Sequence, residues 1–329
     1  METMKALVLE NHGAPFRLVD MPRPEAAAGQ VLVRIRASGV NPLDIKIRAG
    51  EAAHARHPLP AILGMDLAGV VEEVGPGVTD FQRGDEVFGM TGGVGGVQGS
   101  LAEFAAVDSR LLAPKPASLS MREAAALPLV FITAWEGLVD RADLYPQQNV
   151  LVLGGGGGVG HMVIQIARSI GSQVYAVDGA AKADSIRSMG ATPIDLATET
   201  VDAYVAKYAG GKGFDVVYDT VGGASLDTAF QAVKRFGHVV SSLGWGSHSL
   251  APLSFKSATY SGVFTLTPLL TGEGREHHGA ILREAARLAQ ARKLRPLLDS
   301  SAFTLTNALD AYALIEQHKA RGKLVVEIG

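Results

Sequence analysis

Cysteine is absent from all 329 residues. No disulfide can form and no thiolate can hold a metal, which excludes disulfide scaffolds and cysteine zinc sites and fits a reducing cytoplasm. Excess charge of either sign is lacking as well: 30 basic and 33 acidic residues leave −3, with a pI near 6.3. That balance gives no electrostatic reason to expect nucleic acid or an anionic membrane as partner. No apolar run approaches the ~20 residues of a membrane span, and METMKALVLE leads straight into a strand pattern, unlike a secretory signal. The G-x-S-x-G elbow of hydrolases is missing too. What remains is a chain 47% hydrophobic and 19% charged, the composition of a globular protein, long enough for two domains with separate cores.

The most informative stretch is Asn149 to Asp178, NVLVLGGGGGVGHMVIQIARSIGSQVYAVD. A short run of β-formers breaks at five glycines. Apolar residues then recur at helical spacing (Met162, Val163, Ile166, Ala167, Ile170) until Gly171, and a second β-rich run ends at Asp178. Strand, turn, helix and strand together make a βαβ unit. Gly155, Gly157 and Gly160 satisfy G-x-G-x-x-G, which allows a tight turn, close approach of backbone to a pyrophosphate and close packing of helix on strand. The helix that begins there directs free N–H groups and its positive end at an anionic ligand. A flexible linker would not run at once into an amphipathic helix, and a nucleoside triphosphate loop needs Lys and Ser or Thr where His161 and Met162 stand.

Before this unit the chain reads as mostly antiparallel β: strands at MKALVL, VLVRIRA, LAGVVEEV and DEVFG, with the connector MPRPEAAAG and the turn GPG between them. Glycine-dense TGGVGGVQGS (Thr91 to Ser100) reads as a mobile surface loop. After it come helical patterns at Met121 to Leu127 and Ile132 to Val139. Beyond Asp178 strands alternate with helices: helices at Ala183 to Met189, Val201 to Tyr208 and Ser225 to Phe236, and strands at Phe214 to Tyr218, His238 to Leu243 and Gly262 to Leu266. Such alternation implies a parallel, doubly wound sheet. A tail from about Thr267, with helices at Gly279 to Arg292 and Asn307 to His318 and strands at Ser301 to Leu305 and Lys323 to Ile328, is short for a separate domain and is expected to complete the N-terminal one.

Several separated blocks, in order along nearly the whole chain, resemble the medium-chain dehydrogenase/reductase superfamily in its zinc-independent quinone oxidoreductase branch. They are VNPLDIKIRAG from Val40, LGMDLAGVVEEVGPGVTDFQRGDEVFG from Leu63, GSLAEFAAVD from Gly99, EAAALPLVFITAWEGL from Glu123, the glycine turn, GFDVVYDTVGG from Gly213 and the ending GKLVVEIG. The resemblance implies an α/β protein with a GroES-like, mostly-β catalytic domain (1–125 plus 268–329), a Rossmann domain (126–267), a cleft where they meet, and a homodimer or homotetramer. Zinc-bearing relatives carry G-H-E where this chain has Gly64, Met65 and Asp66, so no zinc is expected. His54, His57, His277 and His278 read as loop or helix-start residues, since pairs of histidines lack a third ligand.

Without a Lewis acid, the easiest acceptors are those that spread charge themselves, quinones and α,β-unsaturated carbonyls, reduced by hydride from NAD(P)H. Similarity assigns Asn41 to positioning the substrate carbonyl and Lys46 to donating a proton or a hydrogen bond, the bland alternative being a surface ion pair between Lys46 and Asp44. On the cofactor side it implies Thr133 at the nicotinamide, Gly157, Gly158 and Val159 at the pyrophosphate, and Thr220, Gly222, Leu243, Gly244 and Phe264 at later strand ends. NADH and NADPH stay open. Asp178 lies where a carboxylate holds a ribose 2′-OH, whereas Gly179 and Lys182 fall close to the family's phosphate-binding glycine and lysine, and Leu196 replaces a tyrosine. Alternatives are alcohol dehydrogenase-like activity or a non-catalytic NAD(P)H-binding sensor. Tyr208 and Lys212 fit the Y-x-x-x-K of short-chain reductases, but AGG between them must end a helix.

Overall fold

The structure is a computed structural model that describes residues 2–329. The chain divides into two compact units, Met1–Leu129 with Leu266–Gly329, and Val130–Thr265. These bounds fall a few residues from 126 and 267. The second unit is a six-stranded sheet in the order Thr192–Asp195, Gln173–Asp178, Asn149–Leu153, Phe214–Asp219, Val233–Ser241, Thr259–Gly262. Every neighbouring pair is parallel. In chain order this is 3-2-1-4-5-6, the doubly wound arrangement, with the ligand end at the carboxyl ends of the strands. Asn149–Leu153 sits at the centre, where both its neighbours are paired and its apolar side chains Val150, Leu151 and Val152 are wholly buried.

Helix Gly160–Ile170 follows because its apolar residues share one stripe, and Gly171, at φ 103°, ends it in the left-handed conformation that glycine adopts without strain. On the sheet, Phe214 is fully buried and meets Tyr175 and Tyr204 at ring-centroid distances of 5.5 and 6.4 Å. Leu151, Val217, Leu226 and Phe230 complete that core.

The first unit is antiparallel around Gln30–Gly39, which pairs with Asp66–Val74, Phe104–Asp108 and Val325–Glu327. Phe303–Thr304, Glu86–Met90 and Leu112–Pro114 extend the sheet, and Arg17–Pro22, Thr3–Leu9 and Ala61–Ile62 form a second, three-stranded one. The tail therefore does complete the N-terminal unit, through a strand antiparallel to Gln30–Gly39. Among the described residues no helix is long and apolar enough to cross a membrane.

Three readings change. Thr91 to Ser100 is not a surface loop: Thr91, Val94 and Ser100 are buried, and Thr91, Gly99 and Ser100 donate to the carbonyls of Met65, Ile62 and Gly64. Its glycines serve close approach, since a Cβ on Gly92 or Gly99 would stand 1.8 Å from Gln98 O or 2.2 Å from Leu63 O. The helix expected to reach Phe236 stops at Ala232, and Val233–Ser241 is one strand. The last strand of the parallel sheet is Thr259–Gly262, not Gly262 to Leu266.

Phe214→Ala would empty the space the ring fills against Tyr175 and Tyr204. Chemical denaturation should show a loss of about 3–5 kcal/mol, the range for deleting a buried phenylalanine.

Candidate active site

The turn after Asn149–Leu153 is built by excluded volume. Gly154 takes φ 81°, and a Cβ on Gly160 would lie 2.1 Å from Gly154 O, one on Gly155 2.5 Å from Ala176 Cβ. Only hydrogen fits at these places, and the side-chain-free backbone from Gly154 to Gly158 leads through Val159 into the first turn of Gly160–Ile170. Gly158 is exposed and Gly157 and Val159 are half-buried. This is a cradle for an anionic group at a helix start, and it fits the dinucleotide expected from the glycine spacing.

Asp178 closes the turn from the next strand. Its Oδ2 accepts from Gly156 N at 2.8 Å and its Oδ1 from Gly179 N at 2.8 Å. Lys182 crosses the turn: its stem lies where a Cβ on Gly156 would be, 2.4 Å from Lys182 Cδ, and its Nζ stands 3.5 Å from Asp178 Oδ1. Asp178, Gly179 and Lys182 are thus gathered beside the glycines, with the lysine side chain 46% exposed.

At the end of Phe214–Asp219 the organiser is Asp219, which the sequence reading passed over. Its buried carboxylate accepts from the amides of Val221 and Gly222 and from the hydroxyls of Ser225 and Ser241, both at 2.8 Å. Ser241 Oγ in turn accepts from Leu243 N at 3.1 Å, so one carboxylate shapes both the Thr220 to Gly222 turn and the start of the Leu243, Gly244 segment. Thr220 donates to Leu153 O at 2.8 Å. A carboxylate at the head of D-T-V-G-G with four donors around it leaves a signal in sequence, an Asp ending an apolar strand. Phe264, 39% exposed, meets Trp245 edge to face at 6.1 Å, and Thr133 Oγ1 lies 2.9 Å from Thr265 Oγ1. All the expected cofactor residues therefore belong to the Val130–Thr265 unit, the later ones at carboxyl ends of its parallel strands or just beyond.

In the first unit Asn41 caps the helix Pro42–Ala49 inside a buried polar cluster. Its amide donates to Asp66 Oδ2 at 2.9 Å and accepts from Lys323 Nζ, which also donates to Val40 O at 3.0 Å. Asp66 Oδ1 takes Leu129 N at 2.9 Å, and Asp44 Oδ2 takes Asn41 N at 2.9 Å. Asn41, Asp44 and Asp66 have no exposed surface, and Lys323 is 6% exposed. Burial, helped by the charge of Asp66, pushes the Asp44 carboxyl up to about 7, and burial lifts Asp66 to about 6 against the pull of Lys323, Asn41 and Leu129 N. Burial also lowers Lys323, opposed by both carboxylates.

One expectation is corrected by this cluster, in which Asn41 is wholly buried and engaged at both ends of its amide. Asp44 forms no surface ion pair with Lys46, because Asp44 is buried while Lys46 is exposed. Met65, in the place of the zinc-binding histidine of relatives, is also wholly buried. Among the described residues no group of three or more His, Cys, Asp or Glu could hold a metal. His57 sits in a loop, where its Nδ1 accepts from Gly96 N at 3.2 Å.

Two family models match the chain: alcohol dehydrogenase GroES-like domain over 27–117 and zinc-binding dehydrogenase over 189–326. The NADPH-dependent alkenal/one oxidoreductase of Arabidopsis thaliana is 34% identical over 98% of this chain and 79% of its own length. The chloroplast envelope quinone oxidoreductase homolog of the same plant is 31% identical over 98% of each. A crystal structure of an alcohol dehydrogenase superfamily protein from Novosphingobium aromaticivorans superposes with a TM-score of 0.98 at 58% identity, covering 99% of this chain and 100% of the other.

The raised carboxyls have a stability consequence. A carboxylic acid that titrates near 7 folded and near 3.8 unfolded binds more protons in the folded state between those values, so stability falls as pH rises through that window. Asp44→Asn cannot titrate. Denaturant melts from pH 4.5 to 8 should show a flatter fall in the variant, its stability gaining on the parent protein as pH rises, and parallel curves would refute the assignment.

Proposed function

The chain belongs to the medium-chain dehydrogenase/reductase superfamily, in its quinone oxidoreductase branch, and from that premise we propose a metal-free, NADPH-preferring reductase of quinones and α,β-unsaturated carbonyls. It is an enzyme that transfers a hydride to such acceptors, as the relatives named for those reactions support. The bound nicotinamide supplies the hydride, and everything else falls to the chain's own residues. Gly154 to Gly160 leave room for the pyrophosphate, the strand-end turns shaped by Asp219 line the cofactor, and Thr133 orients its reactive end.

The observation that carries the metal-free reading is the filling of the site where relatives hold zinc. Met65 is a buried thioether, cysteine is missing from the chain, and the Asp66 carboxylate is committed to Asn41 and Leu129 N with Lys323 at 4.0 Å. A donor set of that kind does not suit Zn²⁺. A plain ketone needs the several kcal/mol that a Lewis acid contributes at its oxygen, whereas an enone or quinone delocalises the incoming charge to an enolate or phenolate that hydrogen bonds can hold. Net reduction of an enone then takes up one proton, and exposed Lys46 is our candidate donor. Asn41 acts by holding the buried cluster at the head of the same helix.

Preference for NADPH rests on Lys182. Both Asp178 oxygens already accept backbone N–H groups, so the carboxylate serves the turn, and the half-exposed ammonium beside it is the charge that a ribose 2′-phosphate would meet. The relative named as NADPH-dependent supports the same choice. We further propose a cytoplasmic homodimer or homotetramer acting on a small-molecule acceptor, and the mass in solution checks the assembly.

Two measurements test these readings. Steady-state assays should show turnover with quinones and enones that survives chelator treatment, and turnover confined to simple alcohols would overturn the proposal. Lys182→Ala should weaken NADPH binding by roughly 10–100-fold, the loss of one charge-assisted hydrogen bond, and leave NADH within a factor of about three. Equal weakening of both cofactors would remove Lys182 from the phosphate.

A further inference from the structure

The helix that carries Thr133 changes its winding just beyond it. Pro128–Trp135 is α-helical, and Glu136–Arg141 continues as a π-helix, in which Ala142 N donates to Gly137 O, five residues back. π turns are rare and are found frequently at functional sites. Facing this junction from the sheet is Tyr218, on the strand next to Asn149–Leu153, paired with Val152 on one side and Val240 on the other. Its ring has no exposed surface.

Two contacts tie that ring to the junction. The Tyr218 hydroxyl donates to Thr133 O at 2.7 Å. The ring edge occupies the space beside Gly137, where a Cβ would lie 2.3 Å from Tyr218 Cε2 and 2.5 Å from its oxygen. Gly137 is α-compatible in its conformation and needs no positive φ, so what it supplies is room for the phenol. The Thr133 side chain is fixed separately: its Oγ1 lies 2.9 Å from Thr265 Oγ1, which also reaches Glu136 Oε2 at 3.3 Å. Thr133 and Thr265 are both nearly buried, at 6% and 5% exposure. Thr133 is thus held by its carbonyl from the sheet and by its hydroxyl from the end of the unit.

We propose that Tyr218 is a positioning residue for the reduction: through the Thr133 carbonyl and the slot at Gly137 it sets the place of the Thr133 side chain at the nicotinamide. The proposal rests on the reading that Thr133 orients the reactive end of the cofactor. A rigid central strand is a suitable anchor for such a task, because the flanking strands deny it the freedom a loop would have. The hydroxyl also stays a donor throughout the working range: burial, with the charges of Glu136 and Asp219 nearby, pushes its ionisation well above the usual phenol value. Hydride transfer is sensitive to this kind of placement, since a displacement of about 1 Å can cost on the order of a hundredfold in rate.

The test compares Tyr218→Phe, Thr133→Val and the double variant, with reduced cofactor and an enone. Tyr218→Phe should stay folded and bind NADPH within about threefold of the parent, by fluorescence titration. The fluorescence lifetime of the bound NADPH should shorten, reporting a less confined nicotinamide, while kcat falls roughly tenfold and the primary isotope effect from deuterated cofactor rises. The effect should vanish when Thr133 is already Val, so that the double variant matches Thr133→Val alone. Unchanged lifetime and kcat in Tyr218→Phe, additive losses in the double variant, or a collapse of folding in Tyr218→Phe would each overturn the positioning role. Thr133→Val that leaves cofactor fluorescence and hydride transfer untouched would instead remove Thr133 from the nicotinamide and take down the reading beneath the proposal.

Discussion

Empty volume is the constraint on which the rest of this protein depends. At Gly154, Gly155 and Gly160 the backbone of a strand, a turn and a helix come so close that no carbon could be added to any of them without meeting a neighbour within 2.5 Å. That closeness brings the start of Gly160–Ile170 onto the end of Asn149–Leu153, and it leaves a length of backbone without side chains where an anion can lie. The surrounding groups are arranged to keep the turn in that shape. Asp178 pins it from one neighbouring strand, and the hydroxyl of Thr220 pins it from the other by donating to Leu153 O.

A different economy governs the other unit. There the buried charges of Asp44, Asp66 and Lys323 take the place that apolar packing would otherwise fill, at a cost in desolvation that mutual attraction only partly offsets. Such a cluster is a poor device for stability, yet it gives the head of helix Pro42–Ala49 a single arrangement: the amide of Asn41 has its oxygen claimed by Lys323 and one N–H claimed by Asp66. Polar specificity in one unit and close backbone packing in the other solve the same problem, that of holding reactive parts still.

The Asn149 to Asp178 segment was legible in the sequence because two periodicities and a run of glycines bear on one short stretch, and the structure places its strands and helix where the pattern does. The parallel character of the later strands was legible in their alternation with helices. Thr91 to Ser100 misled because glycine content marks both freedom and crowding, and only tertiary contacts separate the two. The boundary at Val233 was lost because AFQAVKRF keeps a helical rhythm while its backbone turns extended, with Phe236 at φ 59° and largely exposed. Asn41 was named, but its commitment to Lys323 joins residues 282 positions apart, a pairing that one sequence cannot reveal. Tyr218 looked like an ordinary strand residue for the same reason: its partner, the carbonyl of Thr133, lies 85 positions away.

Because Val325–Glu327 pairs with Gln30–Gly39, the unit that begins the chain is finished only by residues that follow the whole of Val130–Thr265. During synthesis the sheet around Gln30–Gly39 must therefore wait with one edge open while the intervening unit emerges and folds, on the order of ten seconds or more at cellular elongation rates. Lys323 arrives last of the charged cluster, so Asp44 and Asp66 spend that interval without their buried cation.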